Sequence, residues 1–175
     1  MTRLFTLLLL FLSAGPTPAG SIYQSPEDFL NEVFAGEVPA AQVLWLKDDV
    51  RETSTAIMGH RYPAIRVRYW LKDARSAWIL EEIGKEQPIT TGIVIKNHGI
   101  ERLRVLVFRE SRGWEVKHPF FTDQFPGLGI TPAYELDGPV DGVSGATLSV
   151  RALKKLARLA LYFHSQVVTD HDATQ

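Results

Sequence analysis

The stretch of residues 64–108 constrains the fold most, because nearly all of it has the pattern of extended strands. It begins with alternating apolar and charged residues and continues in two runs rich in β-branched residues, ITTGIVIKN and IERLRVLVFRE. Such alternation and composition favour strands over helices. The residues Asn-His-Gly at 97–99 are a tight-turn signal. We therefore predict an antiparallel hairpin from about residue 89 to residue 108.

The last strongly patterned segment is LSVRALKKLARLALYFHS, an amphipathic helix. Its apolar residues recur at steps of three and four, opposite a basic face of Arg151, Lys154, Lys155 and Arg158. We expect this basic face to be solvated rather than bound to a membrane surface. Strands followed by a packed helix predict an α+β fold, an antiparallel sheet with packed helices that include this C-terminal one. Residues 168–175 are expected to form a flexible tail.

Two segments ahead of the strands are predicted to be helical. In SPEDFLNEVFAG, Ser25 is a candidate N-cap, Pro26 takes the first helical position and Gly36 closes the helix. The next segment, AAQVLWLKDDVRETSTAIMG, has less regular spacing. We predict one or two helices there, ending at Gly59.

The first nineteen residues have the pattern of a secretory signal peptide. A short positive start precedes the apolar run LFTLLLLFL, and small residues and prolines follow up to Ala19. The run is well short of the roughly twenty residues that span a membrane, which favours a cleaved signal peptide over the alternative of a retained anchor. We expect cleavage near Ala19 and a periplasmic or otherwise extracytoplasmic location.

Composition excludes several classes of function. The chain has 175 residues and a formal net charge of -1, so it has no basic surface that would indicate a nucleic-acid partner. It contains no cysteine, which removes disulfides, iron–sulfur clusters and thiolate zinc sites. The five histidines show no metal-ligand spacing, and we predict no metal site.

Just before the last helix lies the segment DGVSGATLS. As an ordinary turn, it would use Gly145 for an unusual backbone angle and Thr147 or Ser149 as a helix cap. That interpretation does not explain why small residues continue into the helix. The first N–H groups of a helix attract phosphate, and small side chains let a large ligand approach the backbone. The segment therefore indicates a phosphate site, in which a hydroxyl can also be an ester partner.

This segment resembles the flavinylation motif of the FMN-binding domain family, in which an aspartate and two further residues precede Ser-Gly-Ala-Thr. The family includes the FMN-carrying subunits of sodium-translocating NADH:quinone reductase and of the Rnf complex, and small exported flavoproteins. Its motif threonine carries FMN through a phosphoester bond, installed outside the cytoplasm by a magnesium-dependent flavin transferase that uses FAD. The resemblance implies covalent FMN on Thr147, with Asp141, Ser144, Gly145 and Ala146 completing the motif.

A second resemblance lies in the long turn-rich loop ahead of the motif. Family members carry Glu-Thr-Pro-Gly-Leu-Gly there, and this chain has Gln-Phe-Pro-Gly-Leu-Gly. The match implies that Pro126, Gly127, Leu128 and Gly129 line the flavin. Phe125, beside them, is the best candidate for stacking on its ring.

Together the two motifs imply an FMN-binding domain over residues 80–167, preceded by a helical and strand region at 20–79. Glu110 and Arg112 are interpreted as a solvated pair at a strand end and are left out of the site, and no catalytic acid or base stands out. Trp114, Phe120 and Phe121 are interpreted as core residues.

The resemblance implies an exported flavoprotein that relays electrons between a membrane-associated donor and an extracytoplasmic acceptor. Its expected partners are a flavin transferase and a membrane or periplasmic redox protein. Two alternatives stay open, a non-redox periplasmic binding or scaffold module and a small flavin-dependent reductase. Whether the protein is an enzyme is not decided by the sequence, although the absence of a nicotinamide fingerprint favours a carrier.

Overall fold

The computed structural model describes residues 20–172, with the side chains of residues 20–168. Six strands form one antiparallel sheet in the order β1-β6-β5-β4-β3-β2. The strands are β1 (Ser21–Ile22), β2 (Gln42–Trp45), β3 (Arg66–Lys72), β4 (Arg75–Ile83), β5 (Pro88–Lys96) and β6 (Gly99–Phe108). The helices are α1 (Pro26–Val33), α2 (Asp48–Met58), α3 (Pro119–Thr122) and α4 (Thr147–Asp172), and a 3-10 helix spans Trp114–Lys117. This architecture confirms the predicted α+β class.

The predicted hairpin is confirmed as β5 and β6. Ile89 pairs with Phe108 at one end, and Lys96 pairs with Gly99 at the other. Asn97 and His98 have positive φ angles of 51° and 63°, which is the backbone that a two-residue hairpin turn requires. The hairpin sets the direction of β6, whose last residue leads directly to the candidate site.

Helix α4 packs on one face of the sheet and α1 on the other. The larger core cluster joins α4 and α2 to β-branched residues such as Ile93 and Ile95 on β5. The smaller cluster lies under α1, where Phe29 is fully buried. A Cβ at Gly92 would lie 2.7 Å from Phe29 Cζ, so this glycine lets α1 approach the sheet. Helix α4, which begins at the motif, therefore packs against a buried face of the sheet.

The first predicted helix is confirmed together with its cap. The Ser25 hydroxyl accepts a hydrogen bond from the Asp28 N–H at 3.0 Å, and Pro26 begins the helix. Helix α1 ends at Val33, and Gly36, with φ 82°, then donates its N–H to the Asn31 carbonyl.

The segment after Pro39 is only partly helical, which corrects the prediction. Helix α2 ends at Gly59, as predicted, and this glycine has a left-handed φ of 72°. The residues before α2 form strand β2, which pairs Leu44 with Val67 at the sheet edge. A four-residue strand is too short to show a period of its own, and its conformation comes from pairing with β3.

Helix α4 extends to Asp172, so it includes residues 168–172 that we expected in a flexible tail. Its basic face also differs from the expected solvated face, because three of its cations are half-buried against other elements. Lys155 pairs with Glu82, and Arg158 pairs with Glu135. Lys154 Nζ donates to the Val140 carbonyl at 3.4 Å, so Lys154 and Arg158 attach the segment between α3 and α4 to the helix, while Lys155 attaches the helix to β4.

The predicted signal peptide, residues 1–19, lies outside the described residues. Within residues 20–172, no helix combines the length and the apolar character that crossing a membrane requires.

Candidate functional site

The Ser-Gly-Ala-Thr segment forms a tight turn that runs directly into α4. The Ala146 N–H donates to the Val143 carbonyl at 3.0 Å, and the Val150 N–H donates to the Ala146 carbonyl at 2.9 Å. Gly145 has a φ of 81°, which a side chain would disfavour. Thr147 is the first residue of the helix, so its own N–H and the next two precede the first helical hydrogen bond. This geometry aims free N–H groups and the positive end of the helix dipole at the solvent.

A cavity of about 570 Å³ opens at this helix terminus. Thr147 is exposed in it, whereas Ala146 and Ser149 are buried at its base. Its lining consists of two chain segments and Lys85, namely Lys85, Glu110, Ser111, Arg112, Gly145, Ala146, Thr147, Leu148 and Ser149. The structure thus brings three predicted residues together with a segment that sequence reasoning left out.

Gly113 brings that segment against the motif. Its φ is 82°, and a Cβ there would lie 2.8 Å from Ser149 Oγ and 3.3 Å from Ala146 Cβ. A side chain at this position is therefore excluded both by backbone conformation and by contact with the first turn of α4. Sequence reasoning missed Gly113, and its only signal was a lone glycine after a strand.

Glu110 is not paired with Arg112, which corrects the interpretation of these two residues as a solvated pair. Its Oε1 accepts hydrogen bonds from three consecutive backbone N–H groups, those of Lys85, Glu86 and Gln87. Burial raises the pKa of this carboxyl, but the three N–H groups and the Lys85 charge outweigh burial and leave the pKa below its ordinary value. Glu110 therefore fixes the turn between β4 and β5 as one wall of the cavity.

The cavity also carries positive charge. Lys85 lines the cavity and also pairs with Glu86 at 3.0 Å. Arg112 is exposed and has no ion pair within the described part of the chain. An arginine with free donors beside a helix N-terminus matches the chemistry of a phosphate ester.

The other predicted residues lie outside the lining of this cavity. Asp141 and Ser144 are exposed, and the Asp141 N–H donates to Gln124 Oε1 at 2.7 Å. The segment Pro126–Gly129 is held at the hairpin end of β6, where Ile100 exchanges hydrogen bonds of 2.8 Å with Gly127 and Leu128. Its role at the flavin stays a prediction, but its backbone is attached at the opposite end of β6 from Glu110.

The predicted stacking residue is not accessible to a ligand. Phe125 is fully buried and packs edge-on against Phe121, which is also fully buried, with 5.5 Å between ring centroids. Phe121 is a core residue as predicted. Trp114 and Phe120, by contrast, are 46% and 63% exposed, which corrects their interpretation as core.

A larger groove, of about 690 Å³, lies on the face of the sheet that α1 only partly covers. Its lining includes Trp70, Ile79 and Arg68 but no residue of the motif. Volume alone does not identify a site, and the chemistry of a phosphate ester is found at the smaller cavity. No group of three or more histidine, aspartate or glutamate side chains arranged for a metal ion occurs among residues whose positions the structure describes.

The comparison with protein families identifies this region. Residues 84–162 match the model of the FMN-binding domain family, so this part of the chain is a domain of that family. The match begins at the turn held by Glu110 and ends within α4, and it includes every residue that lines the cavity. Neither the search of curated proteins nor the search of solved structures gave a match. The match thus supports a flavin-binding domain over residues 84–162.

The residues of the cavity fit the phosphate end of FMN. The volume lies within the roughly 300–1,000 Å³ of small-molecule sites. Gly145 and Ala146 present little side-chain bulk, Thr147 presents a hydroxyl, and Arg112 and Lys85 supply charge of the right sign. Ala146 and Ser149 are buried at the base of the cavity, so the larger part of FMN has to extend from its open side.

Proposed function

We propose that this protein is an exported flavoprotein that carries FMN covalently on Thr147 and relays electrons. The observation that carries the proposal is the exposed Thr147 at the first position of α4, in a cavity that Arg112 also lines and inside the family match. The N-terminal pattern of residues 1–19 supports export.

The chain's own residues have distinct roles in holding the phosphoester. The free N–H groups of the first turn and the helix dipole stabilise its remaining negative charge. Arg112 and Lys85 face the same cavity and add charge-assisted hydrogen bonds. Ser144, Gly145 and Ala146 leave room for the ribityl chain beside the turn. No base on this chain is needed to activate Thr147, because the flavin transferase supplies activation.

We assign the flavin-lining role to residues 110–115, the segment after β6, in preference to Pro126–Gly129. The family loop reads Glu-Thr-Pro-Gly-Leu-Gly, and residues 110–115 read Glu-Ser-Arg-Gly-Trp-Glu, which keep the glutamate, a hydroxyl residue and the first glycine. These residues line or adjoin the cavity, whereas Pro126–Gly129 do not. The segment Pro126–Gly129 matches the family loop better in sequence, but it lies outside the lining of the cavity.

When bound, FMN supplies the exchange of one or two electrons that a relay needs. The protein holds it at an exposed surface, where a membrane-associated donor and an extracytoplasmic acceptor have access to it. Covalent attachment prevents loss of the cofactor outside the cell. We therefore propose a carrier rather than a stand-alone oxidoreductase.

Co-expression with a flavin transferase tests the proposal. The parent protein should be yellow and should retain flavin fluorescence after denaturing electrophoresis, while Thr147→Ala should lose it. Ser21→Ala is the control, because it removes an exposed hydroxyl from β1, outside the motif, and should keep full loading. A colourless parent protein would support the scaffold alternative and overturn the proposal.

A further inference from the structure

We infer that Trp114 stacks on the isoalloxazine ring of the bound flavin. The inference rests on the proposed function, since it places the phosphate of FMN at Thr147. It adds a contact for the other end of the cofactor.

The position of Trp114 follows from Gly113. The Cβ site of Gly113 lies 3.4 Å from the Cα of Ala146, directly against the motif turn. Trp114 is the next residue and begins the 3-10 helix. Trp114 therefore follows directly on the segment that packs against the motif turn, and 46% of the residue is exposed.

The indole is held in place without being buried. Lys117 Nζ lies 5.2 Å from its ring centroid, and the His118 ring meets it edge-on at 5.5 Å. Lys117 is itself placed over the Tyr23 ring at 4.0 Å. These contacts orient the indole while the exposed part stays free, which lowers the entropic cost of binding a second ring.

The surroundings of the cavity favour the same contact. Ala146 and Ser149 are buried in its lining whereas Thr147 is exposed, so a ribityl chain that starts at Thr147 extends outward. Leu148 in the cavity lining and Trp114, two residues after Arg112 of the same lining, are large exposed apolar residues, and Trp114 is the aromatic one of the two. Aromatic rings prefer such offset stacking.

Contact between the two rings has an optical signature. An indole in contact with a photoexcited flavin transfers one electron to it, and the electron returns, so the fluorescence is lost without net oxidation. Removal of the indole should therefore restore flavin fluorescence, which a purely structural role of Trp114 would not do.

The experiment uses the full chain, co-expressed with a flavin transferase, in the parent form and as Trp114→Leu, Trp114→Phe and Trp45→Leu. Trp45 is the matched control, because it is also 46% exposed but lies on β2 at the far edge of the sheet. Covalent FMN is first quantified by mass, and the flavin fluorescence lifetime is then measured in the native protein.

We expect full FMN loading in all four proteins and a several-fold longer lifetime in both Trp114 variants, with no change in Trp45→Leu. Trp114→Phe keeps a ring at the position but removes the electron donor, so it tests the contact without changing the packing. Full loading with an unchanged lifetime in both Trp114 variants would overturn the stacking alone. A parent protein without covalent FMN would overturn the proposed function, and the stacking with it.

Discussion

Gly113 and Ser149 are thirty-six positions apart in sequence, yet their close approach places the segment after β6 against the first turn of α4. A glycine at this position satisfies both a left-handed backbone and a close approach to the first turn of α4. Neither requirement is visible in the sequence around residue 113, because both arise from tertiary packing. The Ser-Gly-Ala-Thr motif, by contrast, is recognisable because its residues are consecutive in the sequence.

Replacing this glycine tests its role. Gly113→Ala should lower the free energy of unfolding by at least about 1 kcal/mol, because the new Cβ meets Ser149 and the φ angle is strained. It should also reduce FMN loading. Gly142→Ala is the control, because it lies ahead of the same helix, has nothing within 4 Å of the added Cβ, and should change stability by less than about 0.5 kcal/mol. Urea unfolding measures both, and equal midpoints for the two variants would refute the packing argument.

A buried histidine gives a pH prediction. His164 is 1% exposed, its Nδ1 lies 2.8 Å from Ser76 Oγ, and the Trp78 indole N–H donates to the same Oγ. Burial, with a smaller contribution from the charge on His98, lowers the pKa of His164 from 6.5 to about 4.

Because the unfolded chain takes up the proton first, the stability that neutral His164 contributes is complete above pH 6.5. It falls as the pH drops from 6.5 to 4, by at most about 1.4 kcal/mol per pH unit. His164→Gln should reduce the pH dependence of the free energy of unfolding between pH 6.5 and 4. Urea unfolding of both proteins at pH 7, 6 and 5 measures the difference, and parallel profiles would contradict a neutral buried histidine.

At the scale of elements, the sequence predicts a structure when the residues that determine it are close together, and does not when they are distant. Helix α1 was predicted with its cap because Ser25 and the three residues after it determine that cap locally. Strand β2 was missed because its conformation comes from β3, and the hairpin was found because its turn and both strands lie together. The turn between β4 and β5 holds the site wall through Glu110, a contact across more than twenty residues.

Glu110 should therefore stabilise the protein through that turn. Glu110→Ala should cost about 2 kcal/mol at pH 7, because three backbone N–H groups lose a charged acceptor. The lowered pKa means that this stability is present above the ordinary carboxyl pKa of 4.5 and is lost as the pH falls below it. Glu86→Ala, which removes an exposed carboxylate from the same turn, should cost far less. Chemical unfolding at pH 7 and pH 3 checks this, and a loss that persists undiminished at pH 3 would count against the carboxylate.

For the whole molecule, the fold class and the family followed from the sequence, while the composition of the site followed only in part. The strand pattern and the last helix were long enough to predict the α+β class, and the motif was specific enough to predict the family. The sequence around Pro126 resembles the family loop, but in the structure this segment is hydrogen-bonded to Ile100. The cavity is lined instead by Glu110, Ser111 and Arg112. Which segment reaches a helix terminus depends on the path of the chain after β6, and that path is not a local property.

The sheet topology gives a prediction about reaction with nicotinamides. Every strand pairing in residues 20–172 is antiparallel, so the described chain lacks the parallel unit with a glycine-rich turn that holds a dinucleotide. Stopped-flow mixing of the flavinylated protein with NADH should show slow bleaching at best, while dithionite should bleach it fully. Fast, saturable reduction by NADH would instead identify a reductase.

The central claim is the attachment of FMN to Thr147. Protein made with a flavin transferase should be denatured, digested and analysed by peptide mass spectrometry. The account predicts the mass of an FMN phosphoester on the peptide that contains residues 144–149, with fragment ions that place it on Thr147. The added mass on Ser144 or Ser149, or a Thr147→Ala variant that stays covalently yellow, would contradict it.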